Sequence, residues 1–425
     1  MLIALLFTSF LVCLGLGVPI AISLGLSSAL YLLGAGIDIS VVPQYMFAGM
    51  DSFVLLCIPG FVLAGNLMNR GGITDQIVLF GNAVVGHVRG GLGLANVLGS
   101  MIFAGISGTA VAEVASIGAV MIPAMRKSGY GAPFSAALTA SASTVGPIIP
   151  PSVPMIIVGT LTGLSVGKMF LAGAIPGILM GVGMMITCYI ISRRRGYPKG
   201  KWGGFLHVLR TSKATFWALL MTFVILFGIV GGVFTPTEAS IVAALYAFAV
   251  SLFIYRGLNL RDLPGILIDS AIGSGALVLL VGLANVFGWI LTSEQIPQTI
   301  AAAMLAVTTN KYMIILLINI LLLIVGCFME TIAALIILFP PLLAVALKVG
   351  MDPIHFAIMA VMNLIIGLTT PPVGVCLFVA ANIAKLSLSE IALAIWPFLI
   401  CNITVLFIVS YVPEIALWLP NLFYK

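Results

Sequence analysis

The stretch that decides the fold of this chain runs from Ser107 to Gly159 and reads SGTAVAEVASIGAVMIPAMRKSGYGAPFSAALTASASTVGPIIPPSVPMIIVG. Its apolar run is interrupted first at Ser107-Gly108-Thr109 and again at Gly146-Pro147 and Pro150-Pro151. Proline lacks an amide donor and clashes with the preceding helical turn, so a helix must break at the second interruption. The stretch therefore predicts two helical arms joined by a polar tip, followed by a helix that is broken in its middle.

A fainter copy of this pattern lies in the C-terminal half, from Gly326 to Ala380. At an offset of 221 residues the matches are Pro150-Pro151/Pro371-Pro372, Gly146/Gly367, Gly129/Gly350 and Lys127/Lys348, and at an offset of 217 they are Glu113/Glu330 and Pro123/Pro340. Abundant glycine and proline could match by chance, but six ordered matches favour a true internal repeat. We expect one repeat over residues 1–192 and another over 214–425, joined by a linker at 193–213.

Each repeat is expected to contain the same two unusual units. Two half-length helices with a small polar tip suggest a re-entrant hairpin, at about 92–126 and again at about 313–348. Irregular backbone at membrane depth is tolerated only where protein or a wet cavity surrounds it. Each hairpin is followed by a discontinuous helix, at about 130–162 and again at about 353–384.

Composition places the chain in the membrane. Of its 425 residues, 62% are hydrophobic and 7% are charged, whereas about 25% are charged in soluble domains. The apolar runs are continuous and long enough to cross a bilayer as helices, and they do not alternate as barrel strands do. We therefore expect an all-α polytopic membrane protein.

The net charge of +6 comes mostly from residues 192–213, which hold seven of the 18 basic residues and no acidic one. Nucleic-acid binding is one interpretation of such a cluster. A short basic loop between membrane spans is typically an orientation signal, which places this loop in the cytoplasm. We therefore expect a lipid bilayer around the chain and no nucleic-acid partner.

Motifs for enzymatic chemistry are missing or out of context. Gly163-Leu164-Ser165-Val166-Gly167 fits the Gly-x-Ser-x-Gly pattern, but no strand precedes it and no His/Asp pair is apparent. The sequence has no Walker motif and no dinucleotide fingerprint. The six cysteines are scattered without Cys-x-x-Cys spacing, so neither a metal centre nor a disulfide framework is expected. The chain is not expected to be an enzyme.

The broken helices and hairpin tips suit the binding of ions and anions. Helix breaks in transporters expose carbonyls to cations and helix N-termini to anionic substrate groups. We expect two sodium clusters flanking one anion site. One comprises Ser107, Thr109, Ser143, Thr144 and Gly146, and the other comprises Gly326, Thr331, Gly367, Thr369 and Thr370.

Ionisable residues inside membrane spans indicate function by default. Glu330, close to the second tip, is the stronger candidate, and Glu113 is the weaker one. A proton-coupled mechanism that uses Glu330 is the alternative to sodium coupling. Thr235-Pro236-Thr237-Glu238, by contrast, has the pattern of a helix start, so Glu238 is expected to be a capping residue.

Five stretches resemble one transporter family across essentially the whole chain: FAGISGTAVAE, GPIIPPSVPMII, FLAGAIPG, FTPTEAS and NLIIGLTTPPVGVCLFV. They are similar to the large membrane subunit (M, or DctM-like) of tripartite ATP-independent periplasmic (TRAP) transporters. The resemblance implies a sodium-driven importer of organic acids in a bacterial inner membrane, with no cofactor besides Na⁺ as the coupling ion. It also implies inverted repeats, with a transport domain that moves against a scaffold as an elevator.

The resemblance further implies partners and site residues. A periplasmic binding protein would deliver the substrate, and a small four-helix membrane subunit, here expected as a separate polypeptide, would pair with this chain. The tip at Ser107, Gly108 and Thr109, together with Ser152 and Glu330, would face substrate or ions; relatives often have Asp where Glu330 stands. The substrate would be an acid such as sialic acid or a C4-dicarboxylate. A proton-coupled organic anion transporter without a binding protein is the alternative.

Overall fold

The computed structural model describes residues 2–200 and 202–424, without the side chains of residues 104–107, 297 and 301. Within these ranges the chain is helical, and its β pairing is limited to one antiparallel bridge between Arg89 and Lys199. The expectation of an all-α protein is confirmed.

The N-terminal half contains ten α-helices. In chain order they are α1 (Leu2–Gly15), α2 (Ile20–Gly34), α3 (Val41–Met50), α4 (Cys57–Arg70), α5 (Ile73–Val85), α6 (Gly91–Ser107), α7 (Ala110–Lys127), α8 (Ala132–Ala142), α9 (Val153–Thr162) and α10 (Val166–Arg194). A 3-10 turn, Phe53–Leu56, leads directly into α4.

The C-terminal half contains eleven α-helices. They are α11 (Phe205–Val230), α12 (Pro236–Ala249), α13 (Leu263–Ser293), α14 (Ile296–Val307), α15 (Lys311–Phe328), α16 (Thr331–Lys348), α17 (Pro353–Gly367), α18 (Val375–Ala384), α19 (Leu388–Ala394), α20 (Trp396–Tyr411) and α21 (Glu414–Phe423). A π-helical turn, Val250–Ile254, extends α12, and a 3-10 turn, Leu260–Asp262, precedes α13.

This is a polytopic membrane protein. Among the described residues, seven helices are long and apolar enough to cross a bilayer, and counting two bent helix pairs as one span each raises the number to nine. Large apolar side chains also face outward, for example Phe223 at 57% exposure and Ile272 at 67%. Contiguous exposed apolar surface of this kind is rare on soluble monomers but is the normal lipid-facing surface of a membrane protein.

The first unusual unit consists of α6 and α7, which pack together and are separated only by Gly108 and Thr109. Gly108 ends α6 with a φ of 61°, in the left-handed region that glycine adopts without strain. Two helical arms thus occupy the segment at about 92–126. The predicted interruption follows: α8 ends at Ala142, and α9 starts only at Val153, after a cis Pro150-Pro151 peptide.

The second unit repeats this order in the C-terminal half. The arms α15 and α16 are separated only by Met329 and Glu330. The broken helix consists of α17 and α18, and residues 368–374 between them include a cis Pro371-Pro372 peptide. The arms α15 and α16 therefore cover Lys311 to Lys348, and the broken helix covers Pro353 to Ala384.

An asparagine side chain ties the first arm of each hairpin to the first half of its broken helix. Asn96 of α6 donates to the Thr139 hydroxyl of α8 at 2.6 Å, and Asn363 of α17 donates to the Asn319 carbonyl oxygen of α15 at 2.6 Å. All four residues are buried. Polar contacts of this kind hold helices together where no hydrophobic driving force acts between them.

The two units are interlocked. Helix α9 of the first half packs on α16 of the second half, while α18 of the second half packs on α7 and α8 of the first. These eight helices, α6–α9 and α15–α18, are called the hairpin assembly below. Helix α4 packs on both α12 and α13 beside it, with α4 contacting α6 and α13 contacting α16. They are called the flanking helices.

The basic segment is more helical than the predicted linker at 193–213. Helix α10 continues to Arg194 and α11 already starts at Phe205, so only residues 195–204 connect them. This connection folds back on the end of α5, where the Gly200 amide donates to the Gly86 carbonyl at 2.9 Å. The Trp202 ring lies edge-on to His87, with 4.2 Å between the ring centroids.

Candidate functional site

Both hairpin tips open onto one cavity of about 580 Å³ between the hairpin assembly and the flanking helices. The wall formed by the hairpin assembly comprises Phe103, Thr109, Val111, Ala112, Ala115, Ser116, Glu330, Ile332 and Val375. The wall formed by the flanking helices α4 and α13 comprises Val62, Gly65, Asn66, Asn69, Asp269, Gly273 and Leu277. A mostly apolar cavity with a few convergent polar groups is the usual form of a small-molecule site.

The first tip presents a helix start without a side-chain cap. Helix α7 begins after Thr109, whose side chain makes no capping bond to the helix. Among the described residues, no acceptor is bonded to the amides of Ala110, Val111 or Ala112. Unsatisfied amides at a helix N-terminus carry partial positive charge and bind anions. The first tip therefore offers an anion-binding wall to the cavity.

The second tip presents a helix start that the chain itself caps. Glu330 is the N-cap of α16, and its Oε2 accepts hydrogen bonds from the amides of Ile332 at 2.8 Å and Ala333 at 3.3 Å. A carboxylate in this position satisfies orphan amides and interacts favourably with the helix dipole. Glu330 thus brings its negative charge to the cavity already matched by a helix N-terminus.

An ion pair lies at the rim of the cavity on the side of the flanking helices. Arg70, the last residue of α4, donates to Asp269 of α13 at 2.8 Å, and both side chains are 54% exposed. Nearby, Asn66 donates to the Ser270 hydroxyl at 2.8 Å. Because Arg70 pairs with Asp269, this second carboxylate of the cavity is also compensated.

Three residues of the first predicted sodium cluster lie in the break. Ser143, Thr144 and Gly146 are buried there, and the hydroxyl groups of Ser143 and Thr144 donate to the carbonyls of Ala140 and Ser141 at 2.7 and 2.6 Å. Thr144 also accepts from Asn402 of α20 at 3.2 Å. A Cβ on Gly108 would lie 2.8 Å from the Val153 side chain, so the tip touches the start of α9.

Four residues of the second predicted cluster, Gly326, Gly367, Thr369 and Thr370, lie at or against the second break. Gly326 and Gly367 touch through their backbones, since a Cβ on Gly367 would lie 2.5 Å from the Gly326 carbonyl carbon. The hydroxyls of Thr369 and Thr370 both donate to the Ile366 carbonyl, at 2.9 and 3.0 Å. Thr331 is buried, and its hydroxyl has no hydrogen-bond partner among the described residues.

Two predicted substrate residues lie elsewhere or cannot be placed. Ser152 does not line the cavity: it is buried, its hydroxyl donates to the Pro147 carbonyl, and it caps α9 by accepting from the Met155 amide at 3.3 Å. Ser107 ends α6, but its side chain lies outside the described residues. Thr109 and Glu330 are the predicted substrate residues that do line the cavity.

The sequence analysis missed the wall formed by the flanking helices. Asn66, Asn69 and Asp269 are polar residues in otherwise apolar helices, and that property alone could have marked them as candidates. Their convergence on the hairpin tips could not have been anticipated, because about 200 residues separate Asn66 from Asp269.

Residues 7–415 match the family described as "Tripartite ATP-independent periplasmic transporter, DctM component". The match covers the hairpins, both breaks and the flanking helices. This chain belongs to that family. The resemblance drawn from the sequence motifs is therefore confirmed, and this DctM-family chain is a transporter permease subunit, not an enzyme.

Several relatives of this DctM-family chain have descriptive names. The isethionate TRAP transporter permease protein DctMQ of Oleidesulfovibrio alaskensis is 42% identical over 97% of this chain, which spans 65% of that protein. The sialic acid TRAP transporter large permease protein SiaM of Vibrio cholerae is 39% identical over 96% of each chain. The C4-dicarboxylate TRAP transporter large permease protein DctM of Pseudomonas aeruginosa is 40% identical over 94% of each.

A solved structure shares the fold. The YdaH transporter of Alcanivorax borkumensis, whose crystal structure is described as having an unusual topology, superimposes with a TM-score of 0.60. The likeness covers 89% of this DctM-family chain and 87% of YdaH at 16% sequence identity. At this identity the comparison supports the helical architecture alone.

Proposed function

We propose that this chain is the membrane permease of a sodium-coupled importer for an organic acid. The observation that carries the proposal is the cavity of about 580 Å³, whose wall includes the uncapped start of α7. A carboxylate placed there would accept hydrogen bonds from the amides of Ala110, Val111 and Ala112, which are bonded to no acceptor among the described residues. The substrate would thus be recognised by its acid group.

The charges around the cavity support an anionic substrate. Its two carboxylates, on Glu330 and Asp269, are matched by the amides of α16 and by Arg70. An acid entering the cavity therefore meets compensated charges on the other walls and a partial positive charge at α7. The names of the relatives make sialic acid, C4-dicarboxylates and isethionate the first substrates to test.

Sodium ions are proposed to bind at the two breaks, behind the hairpin tips. The prolines of the breaks leave carbonyl oxygens without amide donors, and Ser143, Thr144, Thr369 and Thr370 add hydroxyl oxygens. Hard cations prefer oxygen ligands, and unwound helix segments supply them in many secondary transporters. Because each break touches its own tip, ion binding would order the tip and so favour binding of the acid.

The proposed movement is that of the hairpin assembly against the flanking helices. The cavity lies between these two groups, so a displacement of one against the other would expose it to either side of the membrane in turn. The interlocking of α9 with α16 and of α18 with α7 supports movement of the hairpin assembly as one body. This is the elevator arrangement expected from the family.

The remaining parts of the proposal concern partners and location. The family name implies a tripartite system, so a periplasmic binding protein would deliver the acid and a small membrane subunit would pair with this chain. The chain would reside in a bacterial inner membrane. The basic segment 192–213 would face the cytoplasm, in agreement with the positive-inside rule.

Uptake into proteoliposomes tests the proposal. The chain is reconstituted with its small subunit, a candidate labelled acid and its binding protein are added outside, and an inward sodium gradient is imposed. We expect accumulation that requires both the gradient and the binding protein. Accumulation driven equally well by a proton gradient, in potassium buffer and without the binding protein, would contradict it.

A further inference from the structure

The carboxyl group of Glu113 is buried, and among the described residues no cation and no backbone amide compensates it. Its side chain is 0% exposed, and neither Oε1 nor Oε2 has a hydrogen-bond partner among the described residues. Burial of an ionised carboxylate is strongly unfavourable unless a cation or several donors compensate its charge. The Ser100 hydroxyl of α6 lies next to the carboxyl group, but one neutral hydroxyl does not compensate a buried negative charge. The group is therefore either protonated or paired with a cation.

Helix capping does not account for this carboxylate. Glu238, Glu330 and Glu390 also lie near helix starts, and each accepts at least one hydrogen bond from a backbone amide. Glu113 lies in the first turn of α7, yet among the described residues no amide donates to it. Its carboxyl group contacts two neighbouring elements, α6 through Ser100 and a second element that offers several oxygen atoms.

That element is the first break. A Cβ on Gly146 would lie 1.9 Å from Oε2 of Glu113, so the carboxylate lies directly against the backbone of the break. The residue four positions after Gly146 is Pro150, which has no amide, and among the described residues no hydrogen bond ends on the Gly146 carbonyl. The hydroxyl oxygens of Ser143 and Thr144 belong to the same break.

We propose that Glu113 supplies the charged ligand of a sodium ion bound at the first break. The proposal rests on the sodium coupling proposed above. It adds Glu113 to the carbonyl and hydroxyl oxygens that were named there as sodium ligands. A hard cation between the Glu113 carboxylate and the neutral oxygens of the break would compensate the negative charge and be coordinated by the carbonyl and hydroxyl oxygens. The ion at the first break would then have a charged ligand, whereas Glu330 already gives its carboxylate to the amides of α16.

Sodium-dependent thermal stability tests the assignment. The purified full chain is heated in detergent while NaCl replaces choline chloride at constant ionic strength. We expect Glu113→Gln to raise the half-saturating sodium concentration about 10-fold or more, since loss of one supporting ligand typically lowers metal affinity by 10–100-fold. The matched control, Glu238→Gln, removes a carboxylate that only caps a helix and should titrate like the wild type.

Carbodiimide labelling gives a second measurement that needs no variant. A buried carboxyl group that lacks its cation takes up a proton and reacts with dicyclohexylcarbodiimide, and a bound cation protects it. Trypsin separates the two glutamates cleanly: peptide 90–126 contains Glu113 as its only acidic side chain, and peptide 312–348 contains Glu330 as its only one. We expect sodium to protect Glu113 far more than Glu330.

The outcomes separate this inference from the proposed function. A wild-type chain that responds to sodium, with Glu113→Gln responding identically and labelling of Glu113 insensitive to sodium, overturns the assignment of Glu113 alone. A wild-type chain whose stability and labelling are both insensitive to sodium contradicts sodium coupling itself, and the assignment with it.

Discussion

The two hairpin tips differ in whether a carboxylate of the chain binds the N-terminal amides of the second arm. At the second tip, Glu330 places its carboxylate on the first amides of α16. At the first tip, the corresponding amides of α7 are bonded to no acceptor among the described residues, and Glu113 lies against the break instead. The two tips line the same cavity, so one wall carries a built-in carboxylate and the other can accept one from a substrate.

The comparison teaches that repeated sequence need not give repeated chemistry. Glu113 and Glu330 match at an offset of 217, but the breaks match at 221. The four-residue difference places Glu330 at the N-cap of its arm and Glu113 one turn inside. A shift of about one helical turn keeps both side chains on the same helix face while changing which backbone groups they reach.

The largest effect on stability is expected where the backbones of Gly326 and Gly367 touch. A Cβ on Gly367 would lie 2.5 Å from the Gly326 backbone, whereas the Cβ on Gly146 would meet the end of the Glu113 side chain. Gly367→Ala should therefore destabilise the protein by about 1–3 kcal/mol, the usual range for overpacking, and Gly146→Ala by less. Thermal unfolding measures both. Gly275→Ala, with open space around its Cβ, is the control, and equal losses at all three sites would contradict the contact.

Next in size is the effect of removing the built-in carboxylate. Glu330→Gln keeps an oxygen that can accept from the amides of α16 but removes the charge, so uptake should fall while the unfolding temperature changes little. Glu330→Ala also removes the cap and should destabilise the protein by about 1 kcal/mol. Uptake into proteoliposomes and thermal unfolding separate the two effects. Normal uptake by Glu330→Gln would remove this residue from the site.

A smaller change is expected for the neutral ligands of the second break. Thr370→Ala removes one hydroxyl oxygen next to the break, so the sodium concentration for half-maximal uptake should rise while the maximal rate persists. Thr404→Ala, which removes an exposed hydroxyl that bonds only its own helix, is the control. If both variants show the wild-type sodium response, the second cluster does not bind the coupling ion.

The smallest effect is expected at the rim. An exposed ion pair contributes only about 0–1 kcal/mol to stability, so Arg70→Gln should leave the unfolding temperature nearly unchanged. It does leave the Asp269 charge uncompensated at the cavity, so the KM for the acid should rise with little change in kcat. Arg261→Gln, just before α13, is the matched control. An unchanged KM for Arg70→Gln would show that the charges at the rim of the cavity do not affect substrate binding.

The local features of the fold were predictable from the sequence because they have local causes. Prolines at 147, 150, 151, 371 and 372 dictate where the helices break, and α8 and α17 end before them. The Thr235–Glu238 capping box was also predicted, and both of its reciprocal bonds are present.

The cavity was not predictable in the same way. Its wall requires α4 and α13, whose contacts with the hairpin tips are set by packing between residues far apart in the chain. Ser152, which the family resemblance placed at the substrate or ions, does not line the cavity, and its hydroxyl bonds within the break and the start of α9. Local patterns mark where the backbone is unusual, but only the assembled fold decides what faces the substrate.

The interlocking of the two halves also sets an order for biogenesis. Helix α7 acquires its neighbour α18 only after more than 240 further residues have been synthesised. The N-terminal hairpin must therefore stay in the membrane without its neighbour α18 while the ribosome completes the rest of the chain. We expect a chain truncated before residue 375 to be a substrate for membrane proteases, whereas two halves severed within 195–204 could still find each other.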